Sequence, residues 1–271
     1  MPTTFPQASP ERAAELKESL EDIRRRVVEA AAARKDGRPV ESEPPRLVAV
    51  SKLKAAEDIM ACYELGQRDF GENYAAELAE KAKKLPQDIR WHFIGGLQSN
   101  KCKPLAVIPN IWAVQTVDSI KKASALNKAL PEDRTDPLHI YLQVNTSGED
   151  NKSGVAPLSH TLLSSSQSPS ELEALAKHVI HDCPRLKLLG LMTIGSYEAS
   201  TEAGEENPDF RCLIESKDVL EERLGSGGDW GVGNKLELSM GMSADFEQAI
   251  KVGSGSVRVG TGIFGSRPPR A

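Results

Sequence analysis

Cysteine is scarce in this chain and never paired in a motif. Four occur in 271 residues, at positions 62, 102, 183 and 212. None belongs to a CxxC pair and none clusters with histidine at zinc spacing, which excludes a structural zinc module. The four read as free thiols of a reducing compartment. Long apolar runs are also missing, and none approaches the roughly 18 residues that a bilayer-spanning helix needs. The opening MPTTFPQASPERAAEL has neither an apolar signal core nor the Arg-rich, acid-poor pattern of a transit peptide. The expectation is a cytoplasmic protein with no membrane partner. There is no basic excess: 34 Lys and Arg face 39 Asp and Glu, a net charge of −5. Nucleic acid is therefore not an expected partner, although a local basic pocket for a small anion remains open.

What is present reads as soluble and globular, with 39% hydrophobic and 27% charged residues. The length suits one α/β barrel, whose core can stand without disulfide or metal support. Residues 1–9 are expected to be disordered and residues 10–271 to form one domain. Ser9-Pro10-Glu11 marks a helix start, with a capping side chain, a first-position proline and an early acid. Leu16, Leu20, Ile23 and Val27 follow at helical spacing. Residues 36–45 form a polar linker.

Short apolar runs then alternate with helical stretches. Strands are predicted at Arg46–Ser51, Gln67–Gly71, Arg90–Ile94, Ile111–Val114, His139–Val144, Leu186–Met192, Lys235–Ser239 and Ser256–Val259. Helices are predicted at Ala55–Leu65, Tyr74–Leu85, Ser119–Leu130, Ser170–His181, Phe210–Arg223 and Ala244–Lys251. The alternation implies parallel βαβ units, and eight strands suggest a single (β/α)8 TIM-type barrel with an extra N-terminal helix. A doubly wound open sheet competes, but no GxGxxG follows the first strand. Pro157–Ser170 and Gly225–Asn234 read as inserted surface loops.

A barrel gathers its chemistry at the C-terminal ends of its strands, with phosphate often held after strands seven and eight. The seventh strand runs into Ser239-Met240-Gly241, and the eighth into Gly260-Thr261-Gly262. Each is either a glycine turn or part of a phosphate cradle; the two together favour phosphate. Lys52 follows the first strand and shares the face of Val48 and Val50 by alternation. A solvated cap is one reading. In a barrel mouth, partial burial would instead disfavour the ammonium, and the amine could join an aldehyde as a Schiff base. Lys54 shares the parity but lies further out. An aldehyde that also carries a phosphate is pyridoxal 5′-phosphate.

Arg258, within strand eight, is either a structural ion-pair partner or the neighbour of the pyridine nitrogen. Arginine only donates, so a ring nitrogen facing it would be a weaker electron sink. His92 is a core histidine or a catalytic one. Asn73 binds cofactor or caps the helix near Tyr74. Lys81-Ala82-Lys83-Lys84 reads as a solvated helix face. Cys102, between Lys101 and Lys103, is a plain surface thiol or one made reactive by its neighbours.

Seven segments in order, VAVSKLK, DFGENYAAEL, WHFIGGLQSNK, VNTSGEDNKSG, LLGLMTIG, ELSMGMSADFEQAI and VRVGTGIFG, closely resemble the pyridoxal phosphate homeostasis proteins. The resemblance implies a barrel like the N-terminal domain of alanine racemase, with pyridoxal 5′-phosphate as cofactor. It implies Lys52 as the Schiff-base lysine and Ser239, Gly260 and Thr261 around the phosphate, beside Gly241 of the cradle read above. It further implies Arg258 at the pyridine nitrogen, and Asn73 and His92 near the cofactor. Gly96 and the two inserted loops depart from the family pattern.

The function expected is intracellular storage and delivery of pyridoxal phosphate, without robust catalysis. Pyridoxal-phosphate-dependent apo-enzymes are the possible recipients, and the carrier is expected to be a monomer. The related racemases use a tyrosine from a further C-terminal domain, and this sequence ends at Ala271, soon after the eighth strand. A racemase or decarboxylase in which His92 supplies the acid/base group is the alternative. A sugar-phosphate enzyme working through a lysine imine is a third.

Overall fold

The computed structural model describes residues 5–34, 44–149, 152–160, 169–196, 207–225 and 228–266. Residues 1–4 of the expected disordered terminus, and residues 161–168 and 226–227 of the two expected insertions, lie outside the described residues.

Eight strands follow in sequence order around a closed barrel. They are β1 (Arg46–Val50), β2 (Asp69–Glu72), β3 (Arg90–Phe93), β4 (Ile111–Val117), β5 (Leu138–Gln143), β6 (Leu186–Met192), β7 (Glu237–Ser239) and β8 (Ser256–Val259). The helices are α1 (Pro10–Ala32), α2 (Ala56–Glu64), α3 (Ala75–Lys84), α4 (Cys102–Ala106), α5 (Ile120–Ala129), α6 (Glu171–Asp182), α7 (Pro208–Leu224), α8 (Phe246–Lys251) and α9 (Thr261–Phe264). The chain divides into two compact units: Met1–Gly95 with Ile108–Trp112 and Gly241–Ala271, and Gly96–Val107 with Ala113–Met240.

In the first unit β1 lies between β8 and β2, all parallel. Val48 stands opposite Arg258, and Val50 opposite Gly71. A side chain at Gly71 would press on Val48 and Ile94 at 3.0 and 3.1 Å, so the glycine makes room for them. The N-terminal helix starts as its sequence dictates: Ser9 Oγ accepts the Arg12 N–H at 3.2 Å. Its stripe of Leu16, Leu20, Ile23, Val27 and Ala30 is buried against α2, α8 and α9. The Arg12–Asp58 ion pair at 2.8 Å adds a fixed polar contact at its edge.

In the second unit β5, β6 and β7 pair in parallel. A Cβ on Gly190 would fall 1.8 Å from the Glu237 carbonyl oxygen, so β6 and β7 approach closely at a residue with no side chain. β4 runs three residues past its predicted end. Gln115 and Thr116 broke the apolar run, yet both are buried, because Gln115 Oε1 accepts the Ser239 hydroxyl at 2.7 Å.

Three expectations change. The segment expected as a loop at 225–234 is not simply surface in its described residues 228–234: Trp230 is 2% exposed, and the Gly231 N–H donates to the Leu188 carbonyl at 2.7 Å. Cys102 is not a surface thiol: it is 1% exposed, and burial pushes its pKa up despite the charge of Lys122. Lys81 does not share the solvated face of Lys83 and Lys84, being 7% exposed beneath the β1–α2 connection. The short helix α4 and the turn before it carry too little periodicity to be seen in sequence.

Candidate functional site

In the first unit the chain leaves β1 through Ser51-Lys52-Leu53-Lys54. The Ser51 N–H donates to the Gly71 carbonyl at 2.9 Å, and the Lys54 N–H returns to the Ser51 carbonyl at 3.0 Å. This closes a four-residue turn with Lys52 second and Leu53 third. Leu53 takes φ +60, the left-handed region that such a third position usually fills with glycine. Lys52 is half-buried.

The other two lysines around this turn are fully engaged. Lys54 Nζ donates to the carbonyls of Phe264, Gly265 and Ser266 at 3.1, 3.1 and 2.9 Å. Lys81 Nζ donates to the Ser51 carbonyl at 2.8 Å, Glu72 Oε1 at 2.7 Å and Glu77 Oε1 at 2.6 Å. Ser51 Oγ also donates to Glu72 Oε1 at 2.6 Å, and the Leu53 N–H to Glu77 Oε1 at 2.7 Å. Burial pushes the Glu72 carboxyl up, against the charge of Lys81 and the bonds from Lys81 and Ser51.

The expected phosphate positions after β8 are organised in the same unit. The Gly260 N–H donates to Ser243 Oγ at 3.2 Å, a contact that adds Ser243 to the residues singled out in sequence. The Arg258 N–H donates to the Gly241 carbonyl at 3.1 Å, and Arg258 itself is buried. Gly241 has φ +94, and a Cβ there would lie 2.6 Å from that of Ala249. A Cβ on Gly260 would meet Val50 at 3.3 Å. Thr261 opens α9 and is exposed.

Asn73 Oδ1 is buried with no hydrogen-bond partner. The α3 N-cap residue is Tyr74, with no side-chain cap bond, so the capping role weighed for Asn73 finds no support. His92 is fully buried, with Nε2 2.9 Å from Asp69 Oδ1 and its ring 4.8 Å from that of Trp112. Burial alone would raise the Asp69 pKa; the hydrogen bond and charge of His92, with the charge of Arg90, bring it below the ordinary value.

Ser239 lies in the second unit, buried, with its hydroxyl given to Gln115. That unit also holds a cavity of about 210 Å³ at the ends of β5 and β6, lined by Gln143, Asn145, Thr146, Lys152 and Thr193 among others. Among the described residues no group of His, Cys, Asp and Glu is placed to hold a metal. No described helix is long and apolar enough to cross a membrane.

The residues present fit a phosphorylated aldehyde. The half-buried lysine supplies an amine, Asn73 an orphaned buried amide oxygen, and Ser243, whose Oγ accepts the Gly260 N–H, a hydroxyl that can donate to an anion.

Residues 40–268 match the family described as alanine racemase, N-terminal domain. The chain is 46% identical over 222 residues to a pyridoxal phosphate homeostasis protein of Schizosaccharomyces pombe, covering 82% of this chain and 84% of that one. It is 41% identical over 259 residues to the human protein of the same name, covering 92% and 86%. The solved structure of PipY from Synechococcus elongatus, with PLP bound, superposes with a TM-score of 0.65 at 26% identity, covering 92% of this chain and all of that one. With motifs, barrel and relatives in agreement, this chain belongs to the family of pyridoxal phosphate homeostasis proteins.

Proposed function

We propose that this protein binds pyridoxal 5′-phosphate reversibly through Lys52 and serves its homeostasis inside the cell, storing the cofactor and delivering it to apo-enzymes that depend on it. One observation carries the choice of residue. Lys52 is half-buried in the turn at the C-terminal end of β1, where a barrel gathers its chemistry; Lys54 and Lys81 each bind three acceptors that tie other parts of the fold together. Val48, on the strand that leads into this turn, stands opposite Arg258.

When bound, the cofactor supplies an electrophilic aldehyde. The chain's own residues then divide the work. Lys52 contributes the amine, and the two groups join with loss of water. Gly241, Gly260 and Thr261, with Ser243, hold the phosphate. Asn73 offers its unspent amide oxygen to the cofactor. Arg258, which keeps its proton, would face the ring nitrogen and leave the ring a weak electron sink. His92, close to the cofactor by resemblance, has its Nε2 taken by Asp69, which suits a group that orients better than one that exchanges protons. This balance favours a carrier over a racemase or decarboxylase. The four free cysteines agree with a cytoplasmic location, and a monomer suffices for the residues named.

The test is borohydride reduction of the loaded protein, digestion and mass spectrometry. The expected adduct is on Lys52; an adduct elsewhere, or none, overturns the assignment. Amino-acid α-proton exchange in deuterium oxide, no faster than with free cofactor, is expected of a carrier. Faster exchange that disappears in His92→Ala favours the enzyme.

A further inference from the structure

Leu53 raises a question the cofactor does not answer. A leucine at φ +60 is uncommon, and its side chain is 52% exposed, so packing does not enforce the conformation. What holds it is polar and only partly buried. The Leu53 N–H is fixed by Glu77 Oε1, and the carbonyl of Ser51, at the turn's other end, by Lys81. The ammonium has three donors, and all three are used on Ser51, Glu72 and Glu77. Glu72 in turn takes the Ser51 hydroxyl. Both chain neighbours of Lys52 are therefore tied to one cluster, the buried Lys81 ammonium and Glu72 carboxylate with the partly buried Glu77.

We propose that Lys81, with Glu72 and Glu77, is a positioning device for Lys52: it clamps Ser51 and Leu53 so that the turn carrying the reactive amine keeps its left-handed third residue. The choice of Lys52 as the reactive amine rests on the proposed function; the clamp itself does not. A hydrophobe cannot replace Lys81 here, because no apolar side chain links a strand-end carbonyl to two carboxylates. The cluster lies on the opposite parity from Lys52, since Ser51 and Glu72 turn towards α3 while Val48 and Val50 share the face of Gly71. Lys81 therefore acts through the backbone.

The experiment uses the full chain and three variants: Lys81→Met, Lys81→Met with Leu53→Gly, and Glu77→Ala. Two readouts are taken: hydrogen exchange of the residue-53 amide, and pyridoxal 5′-phosphate affinity by borohydride trapping. Loss of the clamp leaves the left-handed leucine to relax, so affinity should fall about tenfold, the equivalent of roughly 1–2 kcal/mol of left-handed cost. The amide should exchange faster in Lys81→Met and in Glu77→Ala. Glycine carries no such cost, so Leu53→Gly should restore most of the affinity in the Lys81→Met background. A merely structural lysine would not be rescued there. The proposal is overturned if Lys81→Met folds with unchanged affinity, if its residue-53 amide stays protected, or if Leu53→Gly gives no recovery. Should Lys81→Met fail to fold, Glu77→Ala, with and without Leu53→Gly, decides by the same readouts. If the unaltered protein forms no adduct on Lys52, the functional reading fails, and the amide exchange still judges the clamp.

Discussion

Lys54 sets its Nζ 2.9 Å from the carbonyl oxygen of Ser266. With the oxygens of Phe264 and Gly265 it gathers the carbonyls that α9 leaves unpaired at its end. Two residues earlier stands Lys52, half-buried in the turn that leaves β1. The two lysines are thus told apart by what the end of α9 brings to Lys54. Lys52→Ala is expected to abolish the borohydride-trapped adduct. Lys54→Ala should retain it and lose about 1–3 kcal/mol of stability, as charge-assisted bonds to three carbonyls disappear. Trapping and denaturant melts on both variants check this, and an adduct lost only in Lys54→Ala would reverse the roles.

The glycines after β7 and β8 should respond differently. Alanine at Gly241 meets φ +94 and a contact of 2.6 Å with Ala249, so Gly241→Ala should destabilise the fold by about 2–4 kcal/mol. Gly260 has an ordinary negative φ, and its new methyl would sit 3.3 Å from Val50. Gly260→Ala should therefore melt near the unaltered protein while holding pyridoxal phosphate less tightly. Equilibrium dialysis beside thermal melts separates the two; equal cofactor retention in Gly260→Ala would remove that backbone from the cradle.

Acid stability should report the pair Asp69–His92. The Asp69 pKa is lowered in the folded state, from about 3.9 in the unfolded chain. Its contribution is present above that value and is lost as pH falls through the folded-state pKa. Asp69→Asn should cost about 3 kcal/mol at neutral pH, as for a broken buried ion pair. The gap to the unaltered protein should narrow below about pH 4. Denaturant titrations along that limb test it; a gap of constant size would mean Asp69 does not ionise differently on folding.

Thiol labelling should follow burial. Cys62, Cys102 and Cys183 are buried and Cys212 is half-buried. Burial pushes Cys62 up to about 12 and raises Cys102 despite the charge of Lys122. Iodoacetamide on the native protein should therefore reach Cys212 first and spare Cys102 until unfolding. Early modification of Cys102 in peptide maps would contradict its placement.

Much of the barrel was legible because strand and helix periods are local properties. Leu186–Met192 and Ser256–Val259 have the ends their apolar runs announce. Polar residues misled where their partners are distant: Gln115 and Thr116 stopped the reading of β4, although Ser239, far along the chain, satisfies Gln115. Lys81 was read as solvated for the same reason. A signal was there, since Lys81 shares the buried stripe of Ala75, Leu78 and Ala82 and has Glu77 four residues before it. Nothing in a helical period says that Glu72 and the Ser51 carbonyl wait beneath.

By itself the sequence determined the order of strands and helices, the place of Lys52 just beyond the end of β1, and the glycine-rich turns after β7 and β8. These follow from hydrophobic period and backbone freedom, which neighbouring residues carry. Tertiary structure alone decided which lysine ammoniums are consumed, that Cys102 and Trp230 go inside, and that Asn73 keeps an unspent oxygen. Those outcomes depend on polar partners far along the chain, and only folding brings such partners within hydrogen-bond reach.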